Sequence, residues 1–236
     1  MEFKHPLLRA TLLRRYKRFL ADVTLEDGTE VTAHCANPGA MLGVATPGAT
    51  VWVEPADNPK RKLQYSWRLI ALDGGHMAGI DTSVPNKVVG EALNAGQISE
   101  VAAYPNIRAE VKYATASRVD FLLTDATLPD CYLEVKNVHL RRAGSWAEFP
   151  DSVTARGAKH LGDLAQMVAE GHRAVMLYLV QRTDCTALRL AGDLDPTYAK
   201  AALMAQAAGV EMLCYSTRIN TSGVWLDRAL PVALTG

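Results

Sequence analysis

Short runs of alternating polar and apolar residues fill the first third of the chain. Residues 18–24, 30–33, 50–54 and 67–72 each read as a strand, punctuated by Asp27-Gly28, Asn37-Pro38-Gly39, Pro47-Gly48, Asn58-Pro59 and Asp73-Gly74-Gly75. Strands this short and this closely spaced predict a small barrel of about five strands, for which an OB-fold is the natural form. The texture changes after residues 80–85. Asn86 is placed to cap a helix over Val88, Val89, Ala92 and Leu93 that ends near Gly96. A strand at 107–113, a strand-turn-strand segment at 117–138 and a helix at 155–170 with an apolar stripe of Leu161, Leu164 and Val168 follow. The uninterrupted apolar run 174–180 fits a strand buried on both faces. Asp195-Pro196 opens a further helix through Ala208, and 211–216 gives a last strand. The order predicts an α/β chain, α+β overall, in two domains: a barrel at 1–82 and a mixed sheet flanked by helices at 83–236.

The strand-turn-strand segment carries the chemistry. Its flanks are β-branched and aromatic, and its centre, Thr124-Asp125-Ala126-Thr127-Leu128-Pro129-Asp130, is a loop. A loop symmetric about Thr127 sets Leu123 against Cys131, Phe121 against Leu133 and Asp120 against Glu134. Opposed residues have Cβ atoms about 5 Å apart. Strand periodicity puts Lys136 on the face of Glu134 with Arg118 opposite, and Val119, Phe121, Leu123, Leu133 and Val135 on the other face. Two carboxylates at that range repel unless a cation lies between them. Mg²⁺ or Mn²⁺ with oxygen ligands meets that need, and Lys136 then lies beside a water or a phosphate oxygen. Such a set suits metal-assisted phosphodiester hydrolysis. The alternative is an ordinary solvated hairpin face with cross-strand Arg and Lys.

The hairpin resembles the core of the PD-(D/E)xK nuclease superfamily, with an Asp on one strand and Glu-x-Lys on the next. Pro129-Asp130 mimics the first half of the motif, but the register puts Asp130 at the mouth of the turn, so the ligand is placed at Asp120. Four further stretches lie in matching order: 35–42 (Cys-Ala-Asn-Pro-Gly-Ala-Met-Leu), 58–67, 132–138 and 149–161. Together they resemble the sugar fermentation stimulation protein A family over about residues 10–225. The resemblance implies an OB-like barrel followed by a nuclease-like domain. It makes Asp120 and Glu134 the metal ligands, with the Val135 carbonyl completing the shell, and Lys136 the residue assisting the attacking water. Glu91 falls where many such nucleases keep an extra acidic ligand; otherwise it is a solvated helical residue. Arg156 and His160, one turn apart, either hold a phosphate at the cleft or, for His160, lie on ordinary surface.

The net charge of zero over 236 residues hides a polarised distribution. Arg14, Arg15, Lys17 and Arg18 form one basic cluster with Tyr16 and Phe19. Lys60, Arg61 and Lys62 form another with Tyr65 and Trp67. Cations tracking phosphates with aromatic faces for bases suit nucleic acid, DNA ahead of RNA; ordinary basic surface is the alternative. With 49% hydrophobic residues and a mean hydropathy of −0.01 the chain has a core to bury. No apolar run approaches about 18 residues, and the start lacks a signal-peptide pattern, so a cytoplasmic, membrane-free protein is expected. Cys35, Cys131, Cys185 and Cys214 form no C-x-x-C pair and read as reduced and buried. Two functions follow: a Mg²⁺- or Mn²⁺-dependent nuclease, or a non-catalytic DNA-binding regulator linked to sugar (maltose) metabolism, as the family name implies.

Overall fold

The computed structural model describes residues 1–114 and 117–234. Six strands, β1 (Leu8–Tyr16), β2 (Leu20–Leu25), β3 (Glu30–His34), β4 (Thr50–Pro55), β5 (Tyr65–Ala71) and β6 (Met77–Gly79), form one sheet in the order β3-β2-β1-β4-β5-β6. Parallel pairing of β3 with β5, Ala33 opposite Tyr65, closes the first five into an OB-like barrel. Sequence periodicity leaves out β1 and β6. In β1, Ala10 and Leu12 point into the core while Arg9, Thr11 and Leu13 face outward, an alternation interrupted by a bulge between Leu12 and Arg14. The barrel core is built from Leu12, Val23, Val51, Val53, Trp67 and Ile70.

α1 (Val84–Asn94) follows, with Ser83 at its N-cap and Pro85 in its first turn, so Asn86 lies inside the helix and does not cap it. Then come β7 (Asn106–Tyr113), β8 (Ser117–Thr124), β9 (Cys131–Val138), β10 (Trp146–Phe149), α2 (Ala155–Ala169), β11 (Arg173–Val180), β12 (Ala187–Leu190), α3 (Pro196–Ala207), β13 (Glu211–Asn220), β14 (Gly223–Ala229) and β15 (Val232–Ala233). The second large sheet runs β14-β13-β11-β9-β8-β7. β11 lies at its middle, parallel to both β9 and β13, and Ala174 to Val180 are all buried, as a strand covered on two faces requires. On one face Val175, Leu177 and Leu179 join Leu133, Val135 and the α1 residues Val88, Val89 and Ala92. On the other, Met176 and Tyr178 join Leu161 and Leu164 of α2 and Tyr198 and Ala202 of α3. Met167, and not Val168, completes the buried stripe of α2. Asp195 caps α3 by accepting from the Tyr198 amide at 2.9 Å. β10, β12 and β15 make a small parallel sheet that their shortness hides in the sequence.

Several contacts join barrel and second sheet. The Met41 amide donates to Asp151 Oδ2 (3.3 Å), and the Gly79 amide donates to the Gln181 carbonyl (2.9 Å). A Cβ at Gly39 would lie 2.5 Å from the Asp151 carboxylate, so only glycine permits that approach. The N-terminal segment runs beside the β13–β14 turn, where the Phe3 amide donates to the Ser222 carbonyl and Glu2 bridges to Gly223. All four cysteines are free and buried. Among the described residues no helix is long and apolar enough to cross a membrane.

Candidate active site

The β8–β9 ladder pairs Leu123 with Cys131, Leu122 with Tyr132 and Phe121 with Leu133, the register that a loop symmetric about Thr127 predicts, and there it stops. Asp120 and Glu134 are therefore not a ladder pair. Asp120 turns its carboxylate toward β9, and Oδ2 accepts the Val135 N–H at 2.7 Å. A side chain thus takes a backbone donor that would otherwise serve sheet pairing. The β7 side is irregular at the same level: Ala109 pairs with Phe121 and Val111 with Val119, but Glu110 between them has φ 58° and drops out of the ladder. The alternation of β8 breaks here. Phe121 and Leu123 pack on the α1 face, whereas Val119 packs with Tyr113, Leu122 and Met167. The expectation that Val119 shares the face of Phe121 fails because strict two-residue periodicity does not survive an interrupted ladder.

Glu134 is buried, 3% exposed, and lies on the α2 side of β9 with Lys136. Its Oε1 accepts from Lys136 Nζ at 2.8 Å and from His160 Nδ1. Arg156 Nε donates to His160 Nε2 at 3.2 Å, so Nε2 is the acceptor and the network assigns the imidazole proton to Nδ1, facing Glu134. His160 is 5% exposed and reaches the site as a partner of Glu134; it is not surface, and Arg156 alone of the pair is exposed. Glu134 Oε2 is sealed from solvent and has no hydrogen-bond partner among the described residues. Burial, then the charge of Glu134, raises the pKa of Asp120. Burial pushes Glu134 the same way, but the His160 hydrogen bond and the Lys136 charge outweigh it and hold its pKa low.

α1 supplies a residue that the sequence marks only as a helix cap. Asn86 Nδ2 donates to Asp120 Oδ1 at 2.7 Å. Its signal is positional: Asn86 lies one turn before Gly90, whose missing side chain lets the helix sit against Phe121, so a polar group falls on an inward line. Glu91, by contrast, is exposed and pairs with the Met1 ammonium at 2.5 Å; it does not join the carboxylate pair, because it projects from another side of α1. Arg118 is also exposed and points to Glu110 Oε2 at 3.4 Å, away from Lys136, since the ladder that would have opposed them has ended. Asp130 precedes β9, where its carbonyl accepts the Arg173 amide.

The basic clusters divide into exposed surface and scaffold. Lys17, Arg18, Lys60 and Lys62 are exposed. Arg14 is exposed, bonded to Asp22 at 2.8 Å and lying over the Tyr16 ring. Arg15 is not a free cation head: its Nη2 donates to the carbonyls of Arg18, Asn37 and Gly39 and fixes the loop they form. Arg61 donates to Ser66 Oγ, and Tyr65 is half-buried. Trp67 is fully buried and spends its indole N–H on the Leu69 carbonyl, so it offers no face to a base. A cleft of about 420 Å³ lies between β4, β5 and α1, with Arg61, Arg68 and Lys87 on its walls.

Residues 13–80 match the SfsA N-terminal OB domain and residues 83–223 the sugar fermentation stimulation protein RE domain. A sugar fermentation stimulation protein homolog of Dinoroseobacter shibae is 70% identical over 98% of this chain and 96% of its own length. Another, from a Ruegeria species, is 60% identical over 98% and 100%. The solved structure of Pyrococcus furiosus SfsA in complex with Ca²⁺ superposes with a TM-score of 0.88 at 25% identity, covering 99% of this chain and 98% of that one.

Proposed function

The chain belongs to the sugar fermentation stimulation protein family, and from that premise we propose that it binds nucleic acid and hydrolyses phosphodiester bonds with the help of a divalent cation, Mg²⁺ or Mn²⁺. One observation carries the reading: two carboxylates, Glu134 buried and Asp120 half-buried, lie beside a single lysine, and one sealed oxygen, Glu134 Oε2, has no partner among the described residues. An excess of negative charge out of water is expensive as plain structure. A hard cation held by Asp120 and Glu134 would relieve both the repulsion and the orphaned oxygen, so the donor set fits the group. The Ca²⁺ in the complex of the Pyrococcus relative supports a divalent ion of this class.

Asp120, Glu134 and the Val135 carbonyl would hold the cation, which when bound supplies Lewis-acid polarisation of the phosphoryl group and a more acidic water. The chain's own residues do the rest. Asn86 and the Val135 amide orient Asp120, while His160 orients Glu134. Lys136 stands where its ammonium stabilises negative charge developing on the phosphate or orients the attacking water. Arg156, exposed beside His160, is placed to take a phosphate oxygen of the substrate. The division at residues 82 and 83 belongs to the same reading: the first unit grips the strand with Arg14, Lys17, Arg18, Lys60, Arg61 and Lys62, and the second cuts it.

The test is incubation of the purified protein with labelled single- and double-stranded DNA and RNA in Mg²⁺, Mn²⁺ or EDTA. Cleavage that needs the cation and falls about 10²- to 10³-fold in Lys136→Ala, with binding retained, is expected. Wild-type protein that binds but never cleaves would establish the non-catalytic regulator instead. Equal residual cleavage in wild type and variant would point to a contaminant.

A further inference from the structure

A second polar group is sealed beside the carboxylates without a partner. Tyr113, at the end of β7, is 7% exposed, and its hydroxyl is out of contact with solvent and with every donor or acceptor among the described residues. The ring is held firmly: it stacks on Tyr132 at 5.4 Å between centroids and packs with Val119, Leu122 and Met167. Tyr132 stands two residues before Glu134 in β9, on the same face of the sheet. A phenol this buried remains protonated, with burial and then the neighbouring charges of Glu134, Asp163 and Asp120 all opposing ionisation. It is therefore a hydrogen-bond donor with no acceptor among the described residues, within the electrostatic reach of an acceptor, Glu134 Oε2, that has no donor among them.

Packing alone gives no reason for the hydroxyl. Phenylalanine would fill the same space without stranding a polar group, and a stranded buried hydroxyl lowers stability. Direct contact between the two orphaned atoms is not made in this structure, and water is the smallest group that can serve both a donor and an acceptor. We propose that Tyr113 is a positioning residue for the carboxylate centre: its O–H donates to a single bound water that in turn donates to Glu134 Oε2, fixing the orientation in which Glu134 meets a divalent cation. The inference rests on the cation-dependent reading above and adds a group that neither the motif nor the register marks. Partners in this outer position set the direction and basicity of a ligating carboxylate, and their loss typically weakens metal binding by about 10- to 100-fold.

Tyr113→Phe separates the two roles. The variant should melt within about 3 °C of the wild-type temperature in EDTA, because only a water-mediated hydrogen bond is lost, yet bind Mn²⁺ about tenfold or more weakly in a calorimetric titration, and a crystal structure of the wild type should show the bridging water. Mn²⁺ affinity equal to wild type overturns the proposal, and so does a clearly lower melting temperature in EDTA, which would make the hydroxyl a structural group. Tyr113→Leu, which removes ring and hydroxyl together, should lose stability as well, confirming that Phe isolates the hydroxyl. If the wild type itself binds no Mn²⁺, it is the cation-dependent function that fails, a result distinct from equal binding by both proteins.

Discussion

Two clusters of buried charge in the second half of the molecule stand on opposite terms. Asp184 is met by Arg182, which donates from Nε (2.6 Å) and Nη2 (2.8 Å) to its two oxygens, and by Arg141. Two cations serve one carboxylate, and although burial would raise its pKa, the arginines hold it down at about 2. Around Asp120 and Glu134 the ratio is reversed: two carboxylates share one lysine, and Asp120 is held above the ordinary carboxylate range. Burial acts in the same direction in both places. What separates them is whether the chain supplies its own countercharge, and where it does not, an outside cation has a reason to bind.

The comparison breaks first at Asp184. Asp184→Asn leaves Arg182, 4% exposed, without its carboxylate, and should lower unfolding free energy by about 3–5 kcal/mol. Denaturant unfolding checks this; a loss below about 1 kcal/mol would mean that the cluster is no structural anchor. Asp120→Asn should behave differently. Without a cation it should stay within about 1 kcal/mol of wild type, since it removes repulsion while keeping the oxygen that meets the Val135 amide. Wild type should gain about 2.7 kcal/mol at a cation concentration a hundredfold above Kd, and the variant should lose that gain along with cleavage. Equal cation-induced shifts in melting temperature for both proteins would remove Asp120 from the site.

Acidification tests the same contrast through its sign. The folded pKa of Asp184 lies below its ordinary value of 3.8, so its stabilising contribution is complete above that value and lost as pH falls toward about 2, on the order of 2 kcal/mol in all. Asp120, shifted upward, contributes in the other direction, favouring the folded state as it protonates. Stability followed from pH 5 to pH 2 should therefore fall in wild type and fall by about 2 kcal/mol less in Asp184→Asn; parallel curves would assign the acid loss elsewhere. The smallest effect is expected at exposed charge. Lys60→Glu with Lys62→Glu should weaken nucleic-acid binding and reduce the salt slope by about 0.9 for each phosphate contact removed, and an unchanged slope would make the pair ordinary surface.

The parts of the fold legible in the sequence are those governed by a single period. Hairpin register, the doubly buried β11 and the Asp195 cap all follow from local rules. β1 escapes because arginines on its outer face and a bulge at Leu12 blur the alternation. At the site, residues within β9 keep the predicted face, but Asp120 lies where the ladder ends and Val119 crosses to the other side. Asn86 and His160 arrive from helices packed on opposite faces of the sheet, and no spacing in the chain encodes which helical residue will meet a strand. Trp67 shows the converse error: aromatic next to basic in sequence is not aromatic next to basic in space when strand periodicity turns the ring inward.

The pairing of residues 2–3 with 222–223 also bears on how the protein is made. Residues 2–3 are synthesised about 220 positions before the turn that receives them, so the order of synthesis and the order of closure run opposite. During translation the barrel can assemble from β1 onward while its leading segment trails free. That segment docks only after β13 and β14 have formed, and it then acts as a latch that ties the entrance of the barrel to the edge of the second sheet.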